Sequence, residues 1–178
     1  MLISLKYGYA FFCTPKCASN SIEAMLKPYS DIHLLGSPQV RQTDVCGFDR
    51  FVEPYLRHVA PGAEYQRVAV IREPVSWLYS WYRFRSRSAL REAGSPNSTA
   101  HVSFDEFVGA YLQDDDRPAY ADLGSQLEFL TRSDGGVGVD LLYPYENLGH
   151  LETYFSAQVG AELSAGSINV SPRRVYRY

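Results

Sequence analysis

The segment Thr14-Pro-Lys-Cys-Ala-Ser-Asn-Ser21 gathers residue types that can hold an anion. Lys16 supplies a point charge, and Ser19 and Ser21 supply hydroxyl donors. The small side chains of Ala18 and Ser19 let a ligand approach the backbone. A helix that begins here leaves its first N–H groups without intrahelical acceptors, and its dipole favours negative charge. Pro15, Cys17 and Asn20 complete the candidate loop. The competing reading is a capped helix start with an exposed lysine. The loop is not a Walker A motif, which needs glycines before a terminal lysine. Here the lysine follows Pro15 directly and the segment contains no glycine.

Arg72 and Ser80, eight residues apart, form a second candidate group. Arg72 closes the run Arg67-Val-Ala-Val-Ile. A guanidinium at the end of a buried strand needs an anion or water, because an unpaired buried charge is costly. Its planar fork suits phosphate. Ser80 falls about two turns into the helix expected next, with Ser76 one turn earlier on the same face. The competing partner for Arg72 is a carboxylate, Glu73 or Glu146.

Positioning these residues requires strands that end where the loops begin. Residues 7–13 are aromatic and apolar, the pattern of a buried strand. Ile22, Met25 and Leu26 then recur at helical spacing, and Asn20 with Glu23 suggests a capping box. Phe48, Phe51, Val52, Tyr55 and Leu56 predict a second helix over residues 44–57. The β-branched run 67–72 predicts a strand buried on both faces, and Pro74 suits the first turn of the next helix. Residues 86–103 are polar and read as a long loop, a candidate lid or acceptor-binding segment. Helices are expected over 104–112, 126–130 and 147–159, with a glycine-rich turn at 135–138 and a strand at 139–143. Alternating strands and helices predict one α/β domain spanning 1–178. Its central sheet should be mostly parallel, of four or five strands, with helices on both faces. Ligands in such sheets sit at the carboxyl ends of strands, so the ends near Cys13 and Arg72 should face one site.

Bulk properties narrow the partners. The chain has 178 residues, 46% hydrophobic and 21% charged, an ordinary globular composition. A net charge of −3 gives no global basic field for nucleic acid. Arg83, Arg85, Arg87 and Arg91 cluster locally, as do Arg173, Arg174 and Arg177, with Asp114, Asp115 and Asp116 as an acidic counterweight. Such runs are usually solvated faces, but one arginine group could meet an anionic ligand. Cys13, Cys17 and Cys46 show neither a disulfide framework nor metal spacing. Reduced thiols in a cytoplasmic protein are the expectation, with no membrane span and no metal.

Taken together, the two motifs resemble those of sulfotransferases that use 3′-phosphoadenosine 5′-phosphosulfate (PAPS). Residues 15–21 look like that family's 5′-phosphosulfate loop, and Arg72-Glu-Pro-Val-Ser-Trp-Leu-Tyr-Ser80 looks like its 3′-phosphate motif. Phe104-Asp-Glu-Phe107, Gln126, Tyr145-Glu-Asn-Leu148 and Ile168-Asn-Val-Ser171 fall in the order of the family's small bacterial branch. The resemblance implies a P-loop-like fold and transfer of a sulfuryl group to a hydroxyl or amine of a carbohydrate, lipid or small-molecule acceptor. Lys16 would stabilise the leaving bridging oxygen. Residues 15–21 would hold the 5′-phosphate, and Arg72 with Ser80 the 3′-phosphate. Two departures stand out. Gln42 occupies the place of a histidine that is a candidate general base in similar sequences, and glutamine cannot take a proton at neutral pH. The sequence also ends soon after Asn169 and Ser171, where the family pattern continues into a further helix. Four histidines remain as substitute bases: His33, beside an expected short strand near the site edge, His101 by the polar loop, and His58 and His150, which read as helix-end or surface residues; Asp44 and Asp49 are further candidate acids. Gln42 and the short end leave open a second reading, a regulatory or catalytically impaired binder of the same nucleotide. A kinase-like reading lacks both the Walker lysine position and a clear magnesium carboxylate.

Overall fold

The computed structural model describes residues 1–113 and 115–166, with Arg91 described by its backbone alone. Asp114, the Ile168–Ser171 segment and Arg173, Arg174 and Arg177 lie outside the described residues.

Five short strands form one sheet: β1 (Leu2–Ser4), β2 (Tyr9–Phe12), β3 (Ile32–His33), β4 (Gln66–Ile71) and β5 (Leu141–Pro144), ordered β3-β1-β2-β4-β5. β2, β4 and β5 run parallel, whereas β1 is antiparallel to both β2 and β3. The sheet is therefore mixed, which corrects the expectation of a mostly parallel one. The cause is local. The chain reverses between Ser4 and Tyr9, and Gly8 takes the left-handed conformation the turn requires, φ 65°. So short a connection cannot hold a parallel crossover. The Asp31 carboxylate secures the turn, accepting from the Leu5 and Lys6 N–H groups at 2.7 and 3.2 Å.

The helices are α1 (Ser19–Leu26), α2 (Pro38–Arg41), α3 (Val45–Gly47), α4 (Glu53–Val59), α5 (Pro74–Arg85), α6 (Ser88–Glu92), α7 (Phe104–Tyr111), α8 (Gln126–Leu130) and α9 (Gly149–Val159). A π-helical turn, Phe48–Val52, joins α3 to α4. Strand alternation divides the core between the two faces of the sheet. Leu2, Tyr9, Phe11, Val68 and Val70 pack with α1, α5, α7 and α9. Ile3, Ala10, Phe12 and Ala69 pack with α3, α4 and α8. Helices thus cover both faces, as expected. Phe155 of α9 meets Tyr9 and Phe11 edge-on at 5.0 and 6.2 Å, and Phe12 meets Phe48 at 5.2 Å. Each such buried ring contributes roughly 1.5–3 kcal/mol through the area it removes from water.

Local signals held in some places and yielded in others. Capping boxes form at Ser103/Glu106 and Ser125/Glu128. None forms at Asn20/Glu23: the chain enters α1 through Ala18, with no side-chain cap. Glu23 instead pairs with Arg41, whose Nε donates to Oε1 at 2.8 Å. The polar stretch 86–103 contains α6 and is anchored, since buried Thr99 donates to the Tyr82 carbonyl at 2.7 Å. Residues 135–138 form the expected turn, closed by a bridge between Thr131 and Val137. No helix among the described residues is long and apolar enough to cross a membrane.

Candidate functional site

β2 and β4 are parallel neighbours, with Phe12 opposite Ala69, so their carboxyl ends open on the same edge. The loop after β2 and the turn after β4 meet there, as the sequence predicts. Arg72 Nη1 donates to the Lys16 carbonyl at 3.3 Å, and the Trp77 indole N–H donates to the Pro15 carbonyl at 2.9 Å. Gln126 joins both parts. It accepts from the Arg72 N–H at 2.8 Å, donates to the Arg72 carbonyl at 2.9 Å, and accepts from the Cys17 thiol at 3.3 Å.

The loop itself is bent into an unusual backbone. Lys16 and Ala18 both have positive φ, 66° and 58°, while Cys17 between them does not. Left-handed backbone costs a non-glycine residue about 1 kcal/mol or more. Alternating handedness aims successive N–H groups into one concavity, a common anion-binding shape. The N–H groups at the start of α1 have no side-chain cap. Ser19 Oγ donates to the Thr14 carbonyl at 2.8 Å, closing the loop on itself. Thr14 is buried, and its hydroxyl has no hydrogen-bond partner among the described residues.

Three cations converge around this loop. Lys16 Nζ lies over the Phe84 ring at 4.3 Å and over the Trp81 ring at 5.5 Å. Arg87 shares the same Phe84 ring at 4.8 Å. The Arg72 guanidinium rests on the Tyr145 ring at 4.2 Å. Burial of the ammonium, reinforced by the like charges of Arg87 and Arg72, pushes Lys16 down to about 8. Among the described residues, none of these three cations makes a salt bridge. Glu73 caps α5, accepting from the Val75 and Ser76 N–H groups, and Glu146 accepts from the Glu73 N–H. Both carboxylates expected to compete for Arg72 are thus engaged with backbone.

The candidate residues are not all equally placed. Arg72 Nε donates to Ser76 Oγ at 2.8 Å, so Ser76, not Ser80, is the hydroxyl that the guanidinium holds. Ser80 lies one turn further along α5, half-buried. The Asn20 side chain accepts a close hydrogen bond from Arg41, which turns it away from the loop. The Cys17 thiol is pushed up to about 12 by burial and stays protonated. Ser21 is buried in the first turn of α1. Gln42 ends α2, its N–H bonded to the Pro38 carbonyl. His33 lies on edge strand β3, opposite Leu2, with Nε2 held 3.0 Å from the Ser30 carbonyl. β1 separates it from β2, so neighbouring-strand spacing alone puts the two strands about 10 Å apart.

Sequence reasoning overlooked Arg87, the Tyr145 platform and the Trp77 bond to Pro15. Arg87 carried a signal, membership of the 83–91 arginine group; the other two depend on contacts distant in sequence. No group of three or more His, Cys, Asp or Glu side chains among the described residues could hold a metal ion. No protein-family model, curated protein or solved structure matches the chain.

Proposed function

We propose that the chain is a sulfotransferase that binds PAPS at the loop after β2 and passes its sulfuryl group to a hydroxyl or amine acceptor. One observation carries this reading: Lys16 and Arg72 lie at the ends of two parallel strands, Arg87 beyond the far end of α5 shares the Phe84 ring with Lys16, and none of the three makes a salt bridge among the described residues. An anion placed among like charges relieves their mutual repulsion and gains charge-assisted hydrogen bonds. The uncapped start of α1 offers further donors that a phosphate oxygen would satisfy. In this reading Arg72 and Ser76 take the 3′-phosphate, with Ser80 one turn beyond. The backbone around Ala18 and Ser19 takes the 5′-phosphate, and Lys16 stabilises charge on the bridging oxygen as the S–O bond breaks. On this reading the strand, anion loop and helix form a P-loop-like unit.

A second reading rests on Gln42. That side chain can accept or donate a hydrogen bond but cannot remove the acceptor's proton. A nucleotide-binding protein without transfer activity is its consequence.

Calorimetric titration with 3′-phosphoadenosine 5′-phosphate, ADP, and ATP with magnesium tests both. The 3′-phosphorylated ligand should bind best, and Arg72→Ala should weaken it by about 10- to 100-fold, the loss of one or two charged hydrogen bonds. Equal or tighter ATP binding would rule out both readings. Sulfate transfer from PAPS to a panel of hydroxyl and amine acceptors, compared between wild type and Gln42→His, then separates them.

A further inference from the structure

Pro15, which precedes Lys16, also lines a cavity of about 320 Å³ between α5 and α8. Its lining includes the aromatic residues Trp77, Trp81 and Phe129 and the acidic residues Asp44 and Glu128. Among the described residues that line it there is no Lys, Arg or His. Each carboxylate has a structural duty that occupies one oxygen. Asp44 Oδ1 accepts the Gly47 N–H at 2.7 Å, and Glu128 Oε2 accepts the Ser125 N–H at 2.6 Å. Neither forms a salt bridge among the described residues. Two acidic residues thus line an aromatic-walled cavity whose described lining has no cation, with Lys16 and Arg85 outside it over the Trp81 ring, each at 5.5 Å.

This is the opposite of the neighbouring cluster, where three cations make no salt bridge among the described residues. Trp81 joins the two: it lines the cavity, and Lys16 Nζ lies 5.5 Å over its ring. The Trp81 indole nitrogen is buried and has no hydrogen-bond partner among the described residues. A ligand here would meet aromatic walls and two acidic residues.

We propose that this cavity is the acceptor pocket, and that it takes a ring-bearing amine whose ammonium is held by Asp44 and Glu128. Naming it the acceptor side rests on the sulfotransferase reading above; its preference for a cation does not. Aromatic faces attract an ammonium and stack on a flat ring, and carboxylates give it charge-assisted hydrogen bonds. The volume suits a single-ring ligand. The ammonium serves as a handle, since a protonated nitrogen has no lone pair to offer the sulfur. The group that receives sulfate is then a hydroxyl elsewhere on the same molecule.

The chain has two tryptophans, and both line the cavity, so their emission reports binding there. Three probes of matched shape are titrated: tyramine, 4-ethylphenol and 3-(4-hydroxyphenyl)propionate. Tyramine should bind about tenfold tighter than the neutral phenol, and the anionic probe weakest. Asn at position 44 and Gln at 128 keep both capping hydrogen bonds, so the Asp44→Asn, Glu128→Gln double variant should fold normally. It should bind tyramine and 4-ethylphenol equally. Equal binding of all three probes by wild type, a preference that survives in the double variant, or no response to any probe overturns the proposal. Arg72→Ala run in parallel keeps the two readings apart. If the wild type binds no 3′-phosphorylated nucleotide but still selects tyramine, the donor reading falls and the cation pocket stands. If nucleotide binding depends on Arg72 while the probes show no charge preference, the pocket proposal falls alone.

Discussion

Lys16 should make nucleotide binding weaken as the solution turns alkaline. The residue is pressed against Phe84 and Trp81 with Arg87 and Arg72 nearby, and these surroundings lower it to about 8 in the free protein. A bound polyphosphorylated ligand reverses the balance, because anions beside the ammonium favour its charged form. Below pH 8 Lys16 is already protonated and affinity is flat. Above pH 8 binding must take up a proton, and the dissociation constant rises by up to tenfold per pH unit. Affinity for 3′-phosphoadenosine 5′-phosphate at pH 9 should therefore be about tenfold weaker than at pH 7, or ~1.4 kcal/mol. The ligand's phosphates do not confuse the comparison, since their second ionisation lies near pH 6. Calorimetry at pH 7, 8 and 9 and constant ionic strength reads the effect directly. Lys16→Arg keeps its charge throughout and should bind with a flat profile.

Stability should move the other way. The folded value for Lys16 lies below its ordinary 10.5, so the fold bears the full cost of the charged lysine below pH 8 and is relieved as pH rises towards 10.5. The side chain is only partly shielded from water, which limits the gain to about 1–2 kcal/mol. It should appear as a difference in pH-dependent denaturation between wild type and Lys16→Met. A flat wild-type affinity profile, or the same slope in Lys16→Arg, would refute the reasoning.

Two further outcomes follow from single atoms. Thr14→Val removes a buried hydroxyl that has no partner among the described residues and keeps the side-chain shape, so it should stabilise the protein by about 1 kcal/mol; a lower melting temperature would contradict the reasoning. At Gly138 an added Cβ would sit 2.3 Å from Val45 Cγ1 and 2.8 Å from Arg132 Cγ. Gly138→Ala should therefore cost about 1–3 kcal/mol and lower Tm by several degrees, with wild-type stability as the result that refutes it.

Much of the site was legible because its parts follow from local chemistry. An aromatic strand, a small-residue loop and a helical apolar stripe in succession already placed Lys16 at a strand end. The run ending at Ile71, followed by Pro74, did the same for Arg72. Which hydroxyl Arg72 would hold was less accessible. Ser76 and Ser80 share a face of α5, and only the direction in which the guanidinium leaves β4 selects Ser76. Glu23 shows the limit of a cap signal: its spacing from Asn20 suited a box, but Arg41, brought close by the fold, competes successfully for the carboxylate.

The sequence by itself determined the α/β class, helices on both sheet faces, and the meeting of the Cys13 and Arg72 strand ends, because these depend on periodicities and turn residues within short windows. The tertiary structure decided the rest. It brought Asp31 to the β1–β2 turn, where the carboxylate accepts the Leu5 and Lys6 N–H groups from outside the hairpin. It gathered Arg87 beside Lys16 on one phenylalanine ring. It also placed Asp44 and Glu128, distant in sequence, on one cavity. Charges interact through space rather than along the chain, so which cations lack an anion, and which carboxylates lack a cation, could be read only after folding.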